Sequence, residues 1–350
     1  MNDEKQIILK MLKEGKISVE EASDLLSACS ENKSKTDKLT KKITGAVDSI
    51  IKKATDTIQG FDIDQAMDFG QYNVKGEYNT HKDLRIEDDI NEINIDIVSG
   101  TIEIEKSDEE GIYVKSDVWA KKPDLNDFID CEIEEDKLSI FVNEAYNNVQ
   151  ATSDIVLSLG KDVYDKVQIN QVNGKVEISD VDFADLGIDT VNGKIQLINL
   201  SANTRIKNTN GKIDVKNVRG ALSIDNINGP IYLTNIEGEE AEIYNINGNI
   251  RIDGLASKNL DASSNAGTIR IFNIENTEDI KLKSGYGNIV VDTTDFSGDI
   301  RANVESKAIN ITEKFAHKIQ DAKGYEISTA VDNSDLDINI KSGFGKVSLR

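Results

Sequence analysis

Four aspartates fall close together in this chain, Asp180, Asp182, Asp185 and Asp189. Paired carboxylates on an outer face of a parallel β-helix are the machinery of sugar-cleaving enzymes, one serving as acid and the other as base or nucleophile. This stretch is the carbohydrate-active candidate. Its setting argues against that role, because the repeat described below puts it at a solvated corner of a protein with 63 acidic residues. His81 and His317 are the only histidines, and neither has a Ser or Cys at triad-like spacing. Cys29 and Cys131 lie far apart with no second Cys or His at ligand spacing, as expected of inert thiols in a reducing compartment. No Gly-Lys-Ser/Thr follows any Asn-Gly pair, so no phosphate loop is present, and the Gly- and Asp-rich calcium nonapeptide is also missing. The expectation is a protein that is not an enzyme and uses neither cofactor nor metal.

The elements that carry these residues are written in a repeat. Val172-Asn173-Gly174-Lys175-Val176-Glu177-Ile178 returns as Val191-Asn192-Gly193-Lys194-Ile195-Gln196-Leu197 and as Thr209-Asn210-Gly211-Lys212-Ile213-Asp214-Val215. The successive glycine spacings from Gly174 are 19, 18, 18, 19, 19 and 20 residues. Self-similarity at this period marks a solenoid. Alternating apolar residues on both sides of each glycine predict two short strands per rung, stacked in register about 4.8 Å apart. The fold class expected is mainly β: a single-stranded parallel β-solenoid, or β-helix, of roughly ten rungs with an 18–20-residue period. Residues 61–160 are expected to form irregular first coils and a cap, and 161–350 the regular repeats. Because the chain stops at Arg350 just after a strand pattern, the last rung is expected to leave an open edge.

Stacking turns each repeat position into a column. Asn173, Asn192, Asn210, Asn228 and Asn247 should form a vertical amide ladder at a sharp turn that needs Gly. Gln171, Thr190, Asn208, Asn226, Asn245, Ser264 and Ser284 make a second polar column. Outward after each Gly run Lys175, Lys194 and Lys212, and the next column contains Glu177, Asp214, Arg251 and Arg270. The stacked lysines repel unless the carboxylates offset them. Lys175, Lys194, Lys212, Arg251 and Arg270 are therefore the candidate interaction face.

The first sixty residues differ. Residues 1–30 read as an α-helical hairpin: Ile7, Ile8, Met11 and Leu12 at helical spacing, Gly15 as a stop, and a capping box at Ser18-Val19-Glu20-Glu21. Residues 31–60 combine a polar linker with an amphipathic helix whose apolar face is Leu39, Ile43, Val47, Ile50, Ile51, Ala54 and Ile58. Lys38, Lys41, Lys42, Lys52 and Lys53 lie elsewhere on it. Such a helix either covers the solenoid or lies on an anionic membrane, so residues 36–60 are the candidate membrane or partner contact. Residues 1–53 hold eleven Lys against nine acids, whereas the whole chain has net charge −22. That charge excludes nucleic acid as a partner, since phosphate binding requires a basic surface. With no signal-peptide core and no long apolar run, a cytoplasmic location is expected.

The strand, Asn/Ser-Gly, strand pattern, beginning at Val98-Ser99-Gly100-Thr101-Ile102-Glu103-Ile104, resembles the bacterial putative-adhesin family of β-solenoids, a domain of unknown function. The segment from Ile8 to Ala22 is similar to the short helical hairpin that precedes this solenoid in LiaX-like and YvlB-like proteins of Gram-positive bacteria. The resemblance implies a non-enzymatic role tied to cell-envelope stress, with the hairpin as an interaction module and no catalytic residue to carry over. The function expected is an adhesin-like interaction protein with a protein partner or self-association. The alternatives are a carbohydrate-binding or carbohydrate-active β-helix and a self-assembling scaffold.

Overall fold

A computed structural model of the chain describes residues 76, 78–146, 149–320, 324–330 and 334–350. The helices expected within 1–60, and with them Lys38, Lys41, Lys42, Lys52, Lys53 and Cys29, lie outside these residues. The described chain starts with β1 (Tyr78–Ile86), β2 (Glu92–Lys106), β3 (Ile112–Ala120), β4 (Ile129–Glu134), β5 (Lys137–Val142) and β6 (Ala151–Leu159). The regular part follows: β7 (Val163–Ser179), β8 (Asp182–Ser201), β9 (Asn203–Asn210), β10 (Ile213–Arg219), β11 (Leu222–Asn228), β12 (Ile231–Asn247), β13 (Ile250–Ala266), β14 (Ile269–Ile274), β15 (Asp279–Ser284) and β16 (Ile289–Val291). The last group is β17 (Ile300–Glu305), β18 (Ala308–Ile311), β19 (His317–Gln320), β20 (Tyr325–Ser328), β21 (Leu336–Ser342) and β22 (Lys346–Leu349).

Each level has one strand segment before its corner glycine and one after it, so the levels build two faces. The first face runs β4-β5-β2-β7-β8-β9-β11-β12-β13-β15-β21-β17-β20-β19. The second runs β1-β3-β6-β2-β7-β8-β10-β12-β13-β14-β16-β22-β18. Between them Ile and Val from every level, such as Ile195, Ile213, Ile231, Ile250 and Ile269, form a continuous buried column. This is a β-solenoid, and the alternating burial along β2 and β7 to β16 is what the period-two pattern requires.

Two expectations are corrected. The stack is parallel only in its middle. At one end β1, β3 and β6 pair antiparallel, as do β4 and β5, and at the other β17, β20 and β19 pair antiparallel. Antiparallel hairpins close the ends because a reversal needs only a short connection, whereas a further parallel level needs a whole turn of the coil. Nor is the C-terminal strand an open edge. β22 pairs with β16 on one side and β18 on the other, and β21 lies between β15 and β17. The last level in sequence is inserted beneath the level that precedes it. The corner residues explain the order. Gly343 and Gly345 seat against the carbonyl oxygens of Gly285 and Gly287, whereas on the β17–β18 level Ala308 pairs with Lys346, so Lys307 rather than a glycine follows Gly345 at the corner, and that level takes the outer place.

The polar columns are present as expected. Asn192, Asn210, Asn228 and Asn247 each donate a side-chain N–H to the Oδ1 of the Asn one level back, at 2.7–3.0 Å. The inner column is buried and donates to corner carbonyls. Gln171 Nε2 reaches Gly100 O at 2.8 Å, Asn245 Nδ2 reaches Gly229 O at 2.8 Å and Ser264 Oγ reaches Gly248 O at 3.0 Å. A third ladder runs up the opposite corner, where Asn199, Asn217 and Asn235 have φ of 54°, 52° and 52°. There Asn217 Nδ2 donates to Asn199 Oδ1 at 2.7 Å, and Asn235 to Asn217 at 2.8 Å. Asn tolerates this left-handed backbone better than other side-chain-bearing residues and stacks its amide at the same time.

Gly229 tests the corner. Its φ is +126°, and an added Cβ would fall on the carbonyl of Gly211. Gly229→Ala is expected to lower stability by about 3 kcal/mol or more. Asn228→Ala, which removes ladder bonds without moving backbone, should cost only about 1–2 kcal/mol. Urea denaturation reads both; equal midpoints for the two variants would refute the steric argument.

Candidate functional site

The second face carries the candidate cations. Three of the five come together in its middle with two aromatic rings: Tyr232, which the repeat places in the same outward column, and Phe272, which the sequence did not single out. Along β10, β12, β13 and β14, Asp214, Tyr232, Arg251 and Arg270 occupy one outward register position on successive levels. Lys212 Nζ lies 2.8 Å from Asp214 Oδ2 and 4.8 Å from the centre of the Tyr232 ring. Arg251 Nη2 lies 2.8 Å from Asp253 Oδ2, and its guanidinium carbon sits 4.5 Å from the centre of the Phe272 ring. Arg270 is exposed directly above Arg251. Lys175 lies further down the face, ion-paired to Glu177, and exposed Lys194 sits on the level between Lys175 and Lys212. The carboxylates thus offset part of the lysine stripe, as their spacing suggested. The rings were legible only as gaps in the charge pattern: Tyr232 replaces an acid in its column, and Phe272 is two residues past Arg270.

Chemically the arrangement sets cations against ring faces on one side of the stack. Cations over ring faces are worth about 0.5–1 kcal/mol each when exposed, and they hold the side chains in place. Tyr232 and the guanidinium of Arg270 thus lie on one column with Arg251 on the level between them. Lys216 adds a further charge 3.7 Å from Asp214 Oδ1.

The four clustered aspartates do structural work. Asp180 has φ 59° and begins the corner ladder by accepting from Asn199 Nδ2 at 2.9 Å. Asp182 Oδ1 accepts the Ser201 N–H at 2.7 Å, and Asp185 Oδ1 accepts from Asn203 Nδ2 at 3.5 Å. Asp189 also has a polar partner. His81 lies between Asp83 and Asp117, 3.1 Å from each, and the bonds to these carboxylates raise its pKa above the ordinary 6.5. Protonated His81 therefore favours the folded state below the ordinary pKa, and that preference fades as pH rises through the folded value. His317 is exposed on β19. No group of three or more His, Cys, Asp or Glu among the described residues is placed to hold a metal.

The fold is a β-solenoid whose parallel middle is flanked by antiparallel pairs. The chain belongs to the Toastrack DUF4097 family, whose model matches residues 90–348, and a SHOCT-like domain model matches residues 3–34. Among solved structures it is similar to a putative adhesin of Bacteroides fragilis, at 14% identity and TM-score 0.36 over 79% of this chain and 99% of that one. It is also similar to a putative adhesin of Parabacteroides merdae, at 14% identity and TM-score 0.40 over 79% and 98% of the two chains. A third is a putative lipid binding protein of Parabacteroides distasonis, at 15% identity and TM-score 0.37 over 78% and 98%. No curated relative matches the chain.

Burial pushes the Cys131 thiol up to about 11, so little thiolate exists at neutral pH. In a Cys29→Ser background, alkylation of Cys131 by iodoacetamide at pH 7.5 should run at least tenfold slower than in urea-unfolded protein. Equal rates would refute its burial.

Proposed function

We propose that the chain is a non-enzymatic, adhesin-like interaction protein of the cell-envelope stress response. Its rigid solenoid presents the face around Tyr232, Arg251, Arg270 and Phe272 to a protein partner. Residues 1–60 make the second contact, with a partner or, through residues 36–60, with an anionic membrane surface. On this reading the protein is cytoplasmic and held at the membrane.

The observation that carries the reading is the gathering of cations and rings on one face of a chain whose net charge is −22. Arginine and tyrosine are the side chains that interfaces enrich. Of the four aspartates best suited to catalysis, three are meanwhile engaged on neighbouring levels: Asp180 and Asp185 by Asn side chains and Asp182 by a backbone N–H. Membership of the Toastrack family and the adhesin names of its structural neighbours are consistent with a binding role. The lysine-rich start supplies the charge an anionic bilayer attracts, at about 1 kcal/mol per residue near the surface.

Co-sedimentation separates the two contacts. The full chain should pellet with anionic vesicles, and a variant lacking residues 1–60 should not. Arg251→Gln with Arg270→Gln should leave vesicle binding unchanged and weaken binding to detergent-solubilised envelope protein by about tenfold, some 1.4 kcal/mol. Negligible pelleting by both full and shortened chains would sink the membrane contact. Full retention of envelope binding by the double variant would sink the face.

A further inference from the structure

The column position that holds the asparagine ladder changes character towards the C-terminal end. After Asn247 it is Ala266, then Tyr286, then Phe344. Tyr286 and Phe344 stack with ring centres 5.2 Å apart and planes 6° from parallel, and Lys307 Nζ lies 5.2 Å from the Phe344 ring centre. Both rings are exposed, Tyr286 by 38% and Phe344 by 70%. The two come from a duplicated motif, Lys283-Ser284-Gly285-Tyr286-Gly287 and Lys341-Ser342-Gly343-Phe344-Gly345, which the inserted level brings into contact. Register therefore also puts Lys341 over Lys283, and Lys346 beside Asn288.

Nothing in the solenoid needs these rings. The neighbouring levels fill the same position with Asn and Ala, and two exposed rings gain only a modest stacking energy, about 0.5–1.5 kcal/mol. Below Tyr286 the small Ala266 leaves a step above Asn247, so one ring borders a notch a single level high. The flanking side chains are donors: Lys283, Lys307 and Lys346, with Lys341 also bridging Glu305 at 2.6 Å. The acidic field of the chain is weak here, since residues 280–350 hold ten Lys and Arg against ten Asp and Glu. Charges further along the column are screened within about 8 Å at physiological salt.

We propose that Tyr286, Phe344 and the lysines around them form a binding site for an acidic glycan, a sugar chain bearing carboxylate or phosphate groups. Sugar C–H groups pack against the exposed edges of the stacked rings while Lys283, Lys307, Lys341 and Lys346 meet the anionic groups. From the Tyr286 level through Phe344 to the outermost level with Lys307 is two spacings, roughly 10 Å, the length of two sugar units. A bilayer fits less well, because the turn edge that carries the rings runs the length of the acidic column, and a flat surface would meet all of it. This site is separate from the face around Arg251, and the proposal does not depend on that reading.

Native affinity electrophoresis of the full chain tests it, with alginate, neutral dextran or nothing in the gel, beside pelleting with anionic vesicles. Alginate should retard the protein and dextran should not. Phe344→Ala should weaken retardation about tenfold, and Lys283→Gln with Lys341→Gln should do the same. Lys115→Gln, an exposed charge on β3 at the other end of the stack, should leave it unchanged. Because Phe344 is largely exposed, its variant should keep the wild-type urea midpoint, which guards against misfolding. No retardation by alginate, equal retardation by dextran, retention of alginate binding in Phe344→Ala, or Phe344-dependent pelleting with vesicles in place of alginate binding would each overturn the proposal.

Discussion

The structure depends on a close approach at the corner. The carbonyl oxygen of one corner glycine lies where a Cβ of the next would stand, at Gly211 to Gly229, Gly229 to Gly248 and on to Gly287 and Gly345. Only glycine lets successive levels settle at strand-pairing distance there. Once that contact sets the spacing, the rest follows. Apolar side chains from each level meet those above and below in one continuous core, and polar side chains at fixed positions fall into ladders. The inner column of Gln, Asn and Ser supplies donors to the same corner carbonyls, so a tight and buried turn leaves few acceptors unmet. Geometry at one backbone position thus dictates side-chain identity in three columns.

Columns also explain how the surface can recognise anything. A solenoid has no cleft formed by converging loops. What it offers is repetition at a fixed interval, and distinctive side-chain groupings arise where the repetition is broken. Tyr232 breaks a polar column and takes the Lys212 ammonium onto its ring. Phe272 does the same for Arg251. The Asn ladder is broken at Ala266 and becomes an aromatic stack. These are the positions where the sequence stops serving the backbone.

Most of the middle was legible in the sequence, because the period is set by local demands that each repeat meets by itself: a glycine at the turn, alternating apolar residues, an asparagine with a stacking amide. The ladder through Asn173 to Asn247 follows from the Asn-Gly spacing alone. The left-handed corner at Asn199, Asn217 and Asn235 was less visible, since Asn followed by an apolar residue is common and only the backbone reveals its φ. The ends were not legible. Whether β22 pairs outside β18 or inside it is decided by which corners fit together, and Gly287 and Gly345 are too far apart in sequence for the fit to be read from either alone. The same distance hid the Tyr286–Phe344 pair, although its repeated Lys-Ser-Gly-aromatic-Gly motif stands in plain view.

The inserted final level has a consequence for how the molecule is made. As the chain leaves the ribosome, β17 and β18 emerge before the strands on which they finally rest, β21 and β22. Until those last strands arrive, β15 and β16 show an unfilled edge, and the segment from β17 to β20 has no permanent seat. The segment must wait, or pair provisionally with β15 and β16 and then yield its place. Completion of the column is therefore tied to the arrival of β21 and β22, and a chain cut short of β21 keeps a sticky, unfinished edge. An architecture that grows level by level along most of its length is thus sealed by its last strands, in the manner of a keystone.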